Sequence, residues 1–145
     1  MGKVLAVCIS EVKGIQKHPV EQVELRVDHG IVGDAHAGNW HRQVSLLGQE
    51  SVDKLQGVLD FQLKPGDFAE NILTEGICVY KIPVGSKVKL GTALCEVTQI
   101  GKTCHNDCAI RKKAGDCVMP REGIFVKVLE PGTVKPGDEV TVVEE

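Results

Sequence analysis

Aromatic side chains are scarce in this chain of 145 residues, in which phenylalanine, tyrosine and tryptophan make up 3% of the sequence. Proteins that bind single-stranded nucleic acid stack the bases on aromatic rings, so the composition disfavours that class. The net charge of −3 also disfavours binding to the nucleic-acid backbone, which needs an excess of lysine and arginine. We therefore expect no nucleic-acid partner.

Long hydrophobic runs are missing too. No apolar run reaches the roughly 20 residues that a membrane-spanning helix needs, and the first residues lead into a strand-like run instead of a secretory signal. No Gly-x-Gly-x-x-Gly motif follows a predicted strand, so nothing indicates a dinucleotide or flavin site. We expect a cytoplasmic protein without membrane contact, folded as a single domain over residues 1–145.

Glycine, in contrast, is abundant: 16 glycines and repeated Pro-Gly pairs predict many tight turns. Apolar or alternating runs between these turns predict strands at 3–9, 23–27, 43–47, 77–81, 93–100 and 125–129. Residues 49–55 are predicted to form a short helix. Residues 83–90 and 135–142 each read as a Pro/Gly turn that enters an alternating strand. Such units recur in small closed barrels, which leave no exposed sheet edge.

The six cysteines fall into two groups. In a chain without secretory features, thiols are more typically reduced, catalytic or metal-bound than paired in disulfides. Cys8, Cys78 and Cys95 lie within predicted strands, and we interpret them as small core residues.

The other three cysteines, Cys104, Cys108 and Cys117, lie together in residues 101–119. Cations surround them in the sequence: Lys102, Arg111, Lys112, Lys113 and Arg121. Fixed positive charge favours the thiolate, which attacks sulfur or binds a soft metal. We predict that this segment is the working site and that a β scaffold presents it.

One local structure would bring these groups to a common face. If Thr103 caps a short helix, Cys104, Cys108 and Arg111 follow at spacings of one helical face. Asn106 and Asp107 could instead cap a helix that begins nearer Cys108, or the stretch could be a loop.

A second polar region is the glycine-punctuated stretch 30–38, which holds Asp34 and His36 and is followed by His41 and Arg42. It is open to two interpretations. It is either a surface turn with solvated polar residues or a loop that puts its histidines and Arg42 into a pocket.

In this order the segments resemble the MOSC domain, which is named for the C-terminal part of molybdenum cofactor sulfurase. The resemblance covers nearly the whole chain, in a short stand-alone form. Its motifs lie at 33–38, 42–47, 68–72, 83–85, 94–99 and 136–138. The family cysteine that follows the long strand corresponds best to Cys104. Ala69 departs from the pattern, since we expect glycine there.

The resemblance implies a mainly β fold, a distorted closed β-barrel like that of pyruvate kinase with a few short helices. It implies binding of the molybdenum cofactor (molybdopterin) or a related molybdenum–sulfur species. It also implies a sulfurtransferase that receives sulfur as a cysteine persulfide from a cysteine desulfurase and passes it to a molybdoenzyme or a cofactor-biosynthesis protein. Pyridoxal phosphate belongs to the desulfurase, because no Schiff-base lysine with a phosphate cup is recognisable here.

On this reading, Cys104 carries the persulfide, and Cys108 or Cys117 resolves it by forming a disulfide. The remaining predicted site residues would hold the cofactor: His36, His41, Arg42, Glu70, Asn71, Lys102, Arg111 and Arg121. Glu70 and Asn71 could also be ordinary turn residues.

Three alternatives stay open. Some relatives are molybdenum-dependent reductases of N-hydroxylated compounds, which need electron-transfer partners. The spacing Cys-x3-Cys-x8-Cys, with His105 or His36, could bind zinc without catalysis, although it lacks the paired Cys-x-x-Cys of strong zinc motifs. The three cysteines could also lie in a solvated loop without chemistry.

Overall fold

The computed structural model describes residues 2–11, 17–35, 37–38, 40, 43–56, 63–66, 70–101 and 123–143. Within them the chain forms short strands, one helix and a 3₁₀ turn. The strands are β1 (Gly2–Ile9), β2 (His18–Val20), β3 (Val23–Arg26), β4 (Gly30–Ile31), β5 (Val44–Gly48), β6 (Ile72–Glu75), β7 (Lys87–Leu90), β8 (Ala93–Ile100), β9 (Ile124–Glu130), β10 (Gly132–Val134) and β11 (Glu139–Val143). The helix α1 is Gln49–Gln56, and the 3₁₀ turn is Val79–Lys81. Neither helical segment is both long and apolar enough to cross a membrane.

Seven strands close into a barrel in the order β1-β11-β7-β8-β9-β5-β6, and β6 returns to β1. Only β5 and β6 run parallel among these pairs. Strand β2 adds to β1, and β10, β3 and β4 form a separate small sheet. The predicted closed barrel of mainly β structure is confirmed.

Two apolar clusters pack against the barrel strands, one on each face. Strand β5 contributes Leu46 to the inner cluster and Leu47 to the outer one, as expected from the alternation of side chains along a strand. The outer cluster packs beneath α1, which contributes Val52. All five residues of β5 are buried, because both faces of this strand are covered.

The two similar segments, 83–90 and 135–142, become neighbours in the barrel. Their strands β7 and β11 pair antiparallel, with Val140 opposite Leu90. Each is preceded by a turn in which the third residue is a glycine, Gly85 (φ 96°) or Gly137 (φ 95°). Left-handed backbone at that position is the mark of a type II turn and favours glycine. The predicted turn-and-strand units are therefore confirmed.

One predicted strand is wrong. Residues 77–81 contain the 3₁₀ turn, in which Lys81 N donates to the Cys78 carbonyl at 3.1 Å. Cys78 is exposed and is not a core residue. Ile77 and Val79, two positions apart, both pack against the core. That spacing occurs in a strand and in a tight turn alike, so the sequence pattern could not distinguish a strand from a 3₁₀ turn here.

The other two cysteines of that group are core residues, as predicted. Cys8 and Cys95 are both fully buried. Burial raises the pKa of the Cys95 thiol to about 12, because the apolar interior disfavours the thiolate. Cys95 is thus a neutral packing residue at ordinary pH.

Candidate functional site

Of the predicted site residues, Glu70 and Asn71 belong to the described part of the chain. The others lie outside the described residues: His36, His41, Arg42, Lys102, Cys104, Cys108, Arg111, Cys117 and Arg121. The helix proposed to begin at Thr103 lies outside them as well. The roles assigned to these residues stay predictions.

Asn71 is buried just before β6, and its side-chain amide connects three strands. Its Oδ1 accepts from Ser45 N at 3.0 Å and lies 3.2 Å from Ser45 Oγ, while its Nδ2 donates to the Cys8 carbonyl at 3.1 Å. The backbone adds a bond from Cys8 N to the Asn71 carbonyl at 2.6 Å. Asn71 therefore sets the position of β6 between β5 and β1.

Glu70 is 1% exposed, and its carboxylate stabilises the turn before it. Its Oε2 accepts from Gly66 N at 2.8 Å, and the Gly66 carbonyl accepts from Lys17 N at 2.9 Å. A β carbon on Gly66 would collide with the Lys17 carbonyl, so this close approach requires glycine. Glu70 thus helps to join residues 64–66 to the chain at Lys17.

The structure contains a buried ion pair that sequence reasoning missed. Lys17 Nζ lies 2.7 Å from Asp34 Oδ1, and the two side chains are 1% and 0% exposed. The same oxygen accepts from Ser10 N at 3.1 Å, and Ala35 N donates to the Ser10 carbonyl at 2.7 Å. Asp34 is therefore a buried residue and not a solvated turn residue. Its bond to Ser10 N anchors the loop to the end of β1.

Ser10, Gln43 and Asn71 mark one end of the barrel, where β1 ends and β5 and β6 begin; we call it the upper end. Gln43 is 2% exposed, and its Oε1 accepts from Val128 N at 2.9 Å. His41 and Arg42 directly precede Gln43 in the chain. The covalent chain therefore connects these two predicted site residues to the upper end.

A groove of about 340 Å³ adjoins Gln43. Its lining residues are Val27, Asp28, Trp40, Gln43, Thr98, Lys127, Val128 and Leu129. Trp40 is 38% exposed and Lys127 is half-buried, so an aromatic face and a cation are both accessible. The groove therefore offers an aromatic side chain, a cation and the carboxylate of Asp28 to a ligand.

The cysteine-rich segment is anchored at two adjacent glycines. Gly101 N donates to the Gly123 carbonyl at 2.6 Å, and next to them Ile100 pairs with Ile124. Ile124 in turn pairs with Leu46 of β5. Gly123 lies one residue beyond Ile124, toward the end at which β5 ends. At about 3.4 Å per residue, four residues therefore separate the two glycines from Gln43 by roughly 14 Å along the strand.

Among the residues that the structure describes, no three His, Cys, Asp or Glu side chains are grouped to hold a metal ion. The ligands of the zinc alternative, Cys104, Cys108 and Cys117 with His105 or His36, lie outside those residues. That alternative is therefore untested.

Several solved structures share this fold. The YuaD protein of Bacillus subtilis is 18% identical with a TM-score of 0.77, over 97% of this chain and 94% of that one. YiiM of Geobacillus stearothermophilus is 20% identical with a TM-score of 0.75, over 99% and 76%. YiiM of Escherichia coli is 17% identical with a TM-score of 0.67, over 99% and 70%. At these identities the likeness establishes the fold alone.

The sequence comparison is more specific than the structural one. No curated protein matches the chain, but the sequence model of the MOSC domain matches residues 33–141. This range is well over half of the chain and includes both the Asp34 loop and the cysteine-rich segment. The chain belongs to the MOSC domain family, which is associated with molybdenum-cofactor-related function.

Proposed function

We propose that this protein is a sulfur carrier of the sulfurtransferase type, which accepts sulfur on Cys104 and delivers it to a molybdenum–sulfur centre. The observation that carries the proposal is the family match over residues 33–141, which includes Cys104, Cys108 and Cys117. The proposal places the protein in the cytoplasm, where free thiols stay reduced.

In the first step the Cys104 thiolate attacks the outer sulfur of a persulfide on a cysteine desulfurase. A new S–S bond forms at Cys104, the S–S bond of the donor breaks, and its electron pair leaves on the donor's cysteine thiolate. Pyridoxal phosphate is needed only on the donor, where it cleaves the carbon–sulfur bond of free cysteine.

In the second step Cys108 or Cys117 resolves the persulfide. Its thiolate attacks the Cys104 sulfur, a disulfide forms, and hydrosulfide leaves toward the acceptor. This step leaves the protein oxidised by two electrons. A cellular thiol reductant must therefore reduce the disulfide before the next cycle. The acceptor is a molybdoenzyme or a cofactor-biosynthesis protein.

The groove beside Gln43 supports the cofactor-binding part of the proposal. Lys127 offers a cation for a phosphate group, and Trp40 offers a face for a ring. A bound molybdenum cofactor would supply the metal centre that receives sulfur.

The test is transfer of labelled sulfur. Wild type and Cys104→Ser are reduced, incubated with a cysteine desulfurase and ³⁵S-cysteine, and separated without reductant. Cys104→Ser should lose the protein-bound label that a thiol reductant releases. Cys78→Ser is the matched control, because Cys78 is an exposed thiol outside the cysteine-rich segment; it should keep the label.

Undiminished labelling of Cys104→Ser would move the carrier role to another cysteine. Binding of molybdopterin and of molybdate, measured separately, forms the second arm. Lys127→Ala should weaken the binding of molybdopterin more than that of molybdate, because the proposal gives Lys127 the phosphate group of molybdopterin as its partner. Reduction of N-hydroxylated compounds by the loaded protein, without persulfide formation, would instead favour the reductase alternative.

A further inference from the structure

The groove beside Gln43 holds two side chains of opposite charge. Asp28 and Lys127 both line it, and neither belongs to an ion pair within the part of the chain that the structure describes. A simple anion in the groove would be repelled by the carboxylate, and a simple cation by the ammonium. The lining therefore favours a ligand that has hydrogen-bond donors at one place and an anionic group at another.

The turn between β3 and β4 fixes the backbone of Asp28. Among the described residues other than glycine, only Asp28 has left-handed backbone (φ 60°), and His29 N donates to the Arg26 carbonyl at 3.3 Å across the same turn. Glycine or asparagine would meet this backbone requirement as well. The turn thus explains the conformation of Asp28 but not its negative charge, which is available to a ligand.

Gln43 adds an amide donor whose orientation is fixed. The residue is 2% exposed, and Val128 N donates to its Oε1 at 2.9 Å. Because a backbone N–H must face the oxygen, the amide cannot be reversed, and Nε2 lies on the other side of the group. Nε2 makes no hydrogen bond within the described residues, yet it is not enclosed, since Thr74 Oγ1 is the one fully enclosed side-chain atom among them that lacks a partner. A ligand in the groove can therefore place an acceptor against this nitrogen.

The other groups of the lining suit a flat ring. Trp40 is 38% exposed, and Val27 and Leu129 supply apolar surface in the same groove. Aromatic rings pack favourably against one another in an offset arrangement. The volume of about 340 Å³ also lies within the roughly 300–1,000 Å³ of small-molecule sites. The ligand is thus a ring that presents donors to a carboxylate and an acceptor to an amide.

A 2-amino-4-oxopyrimidine ring carries these groups side by side. Its amino group and the adjacent ring N–H donate together to one carboxylate, and the neighbouring carbonyl oxygen accepts from an amide. Pterins and guanine both have this edge. We propose that Asp28 and Gln43 bind this edge of a pterin, whose ring lies against Trp40 and whose phosphate group contacts Lys127. The choice of a pterin over guanine rests on the proposed function, whereas recognition of the edge does not.

Purine nucleotides test the edge without molybdenum or sulfur transfer. Uniformly ¹⁵N-labelled protein is titrated at pH 7 with guanosine, inosine and adenosine monophosphate (GMP, IMP and AMP). Trp40 is the single tryptophan, so the one indole N–H signal reports on the groove without assignment.

GMP should shift that signal saturably. IMP lacks only the 2-amino group and should bind about tenfold more weakly, because one hydrogen bond to the carboxylate is lost. AMP should bind most weakly of the three, because it presents a ring nitrogen without a proton to Asp28.

Asp28→Asn removes the charge and preserves the shape and the turn, since asparagine also adopts left-handed backbone. This variant should unfold at the same temperature as wild type and lose the preference for GMP over IMP. Asp53→Asn is the matched control and should keep the preference. Asp53 is an exposed aspartate of α1 and is not among the described residues that line the groove.

Gln43→Glu retains an oxygen for Val128 N and replaces the amide donor by an acceptor. It should weaken GMP binding about tenfold, because the carbonyl oxygen of the base then meets an oxygen instead of an N–H. If this buried substitution prevents folding, the GMP-to-IMP ratio of Asp28→Asn decides the proposal.

A second pair of probes identifies the fused ring. 6-Hydroxymethylpterin and guanosine share the edge, and neither carries phosphate. Tighter binding of the pterin supports its assignment as the ligand, and tighter binding of guanosine would overturn that assignment. Equal binding of GMP and IMP by wild type, or a preference for GMP that Asp28→Asn retains, would overturn the recognition of the edge.

Failure of this inference is distinguishable from failure of the proposed function. Undiminished sulfur labelling of Cys104→Ser, together with an intact preference for GMP, would refute the carrier role of Cys104 alone. Labelling that depends on Cys104, in a protein that does not distinguish GMP from IMP, would refute only the recognition of the edge by Asp28.

Discussion

The ammonium of Lys17 lies 2.7 Å from Asp34 Oδ1, and neither side chain reaches solvent. The pair joins the segment that enters β2 to the loop after β4 and, through Ser10 N, to the end of β1. The end of β1, the segment before β2 and the loop after β4 therefore meet at one carboxylate. This contact positions the loop that leads toward His36, His41 and Arg42.

We expect Asp34→Ala to lower the free energy of unfolding by about 3–5 kcal/mol, because it leaves the Lys17 ammonium buried without its counter-charge. Urea unfolding at pH 7, followed by circular dichroism, measures the change. Lys17→Met should destabilise by a comparable amount, for the reciprocal reason.

The double variant Lys17→Met/Asp34→Ala separates pairing from packing. In the double variant both charges of the pair are removed together. Its loss in unfolding free energy should therefore be smaller than the sum of the losses in the two single variants by at least about 1 kcal/mol. Additive losses would mean that the two charges do not stabilise each other, and the ion pair would then not be what anchors the loop.

Asn71→Ala should be the more damaging of two substitutions at the junction of β5 and β6. It removes the acceptor of Ser45 N and the donor to the Cys8 carbonyl, and each orphaned buried group costs about 1–3 kcal/mol. Ser45→Ala keeps the bond from Ser45 N to Asn71 Oδ1 and the bond from Asn71 Nδ2 to the Cys8 carbonyl. It should therefore lower the unfolding free energy by only about 1 kcal/mol. Urea midpoints of the two variants decide the order, and a larger loss for Ser45→Ala would refute the role assigned to the Asn71 amide.

The stability of the protein should fall with rising pH in the alkaline range, partly because of Cys95. Burial raises the pKa of this thiol from 9.0 to about 12 in the folded protein. Between these values the unfolded chain releases the proton while the folded chain keeps it. The contribution of Cys95 is therefore fully present below pH 9.0 and is lost as the pH rises toward 12.

Cys95→Ala should flatten that decline by up to about 1.4 kcal/mol per pH unit. Unfolding free energies of both proteins at several pH values from 8 upward, taken as a difference, cancel the other titrating groups. Cys78→Ala is the control, because it removes an exposed cysteine instead of a buried one. Parallel curves for wild type and Cys95→Ala would show that the thiol is not desolvated.

Much of the barrel was predictable from local pattern. Alternation along 93–100 and the Pro/Gly turns at 83–85 and 135–137 depend on neighbouring residues alone, and β7, β8 and β11 form there. The error at Cys78 has the same origin, since buried Val79 and nearby Ile77 satisfy a strand pattern and a 3₁₀ turn equally well.

The candidate site was less predictable. Asp34 stands out in the sequence because it lies in a glycine-rich loop, but nothing there marks Lys17 as its partner. Asn71 belongs to a family motif, whereas its bonds to Ser45 and Cys8 depend on strand pairing across 26 and 63 residues. Such partners become visible only when the strands that carry them are adjacent.

Residue order therefore determined the strand-rich class, the turns and the concentration of thiols and cations after β8, because each of these depends on short-range spacing. Strand pairing decided which buried side chains meet at the upper end: Lys17 with Asp34, and Asn71 with Ser45. The physical reason is that burial gives these polar groups their energetic weight, and burial depends on contacts between strands that are distant in the chain.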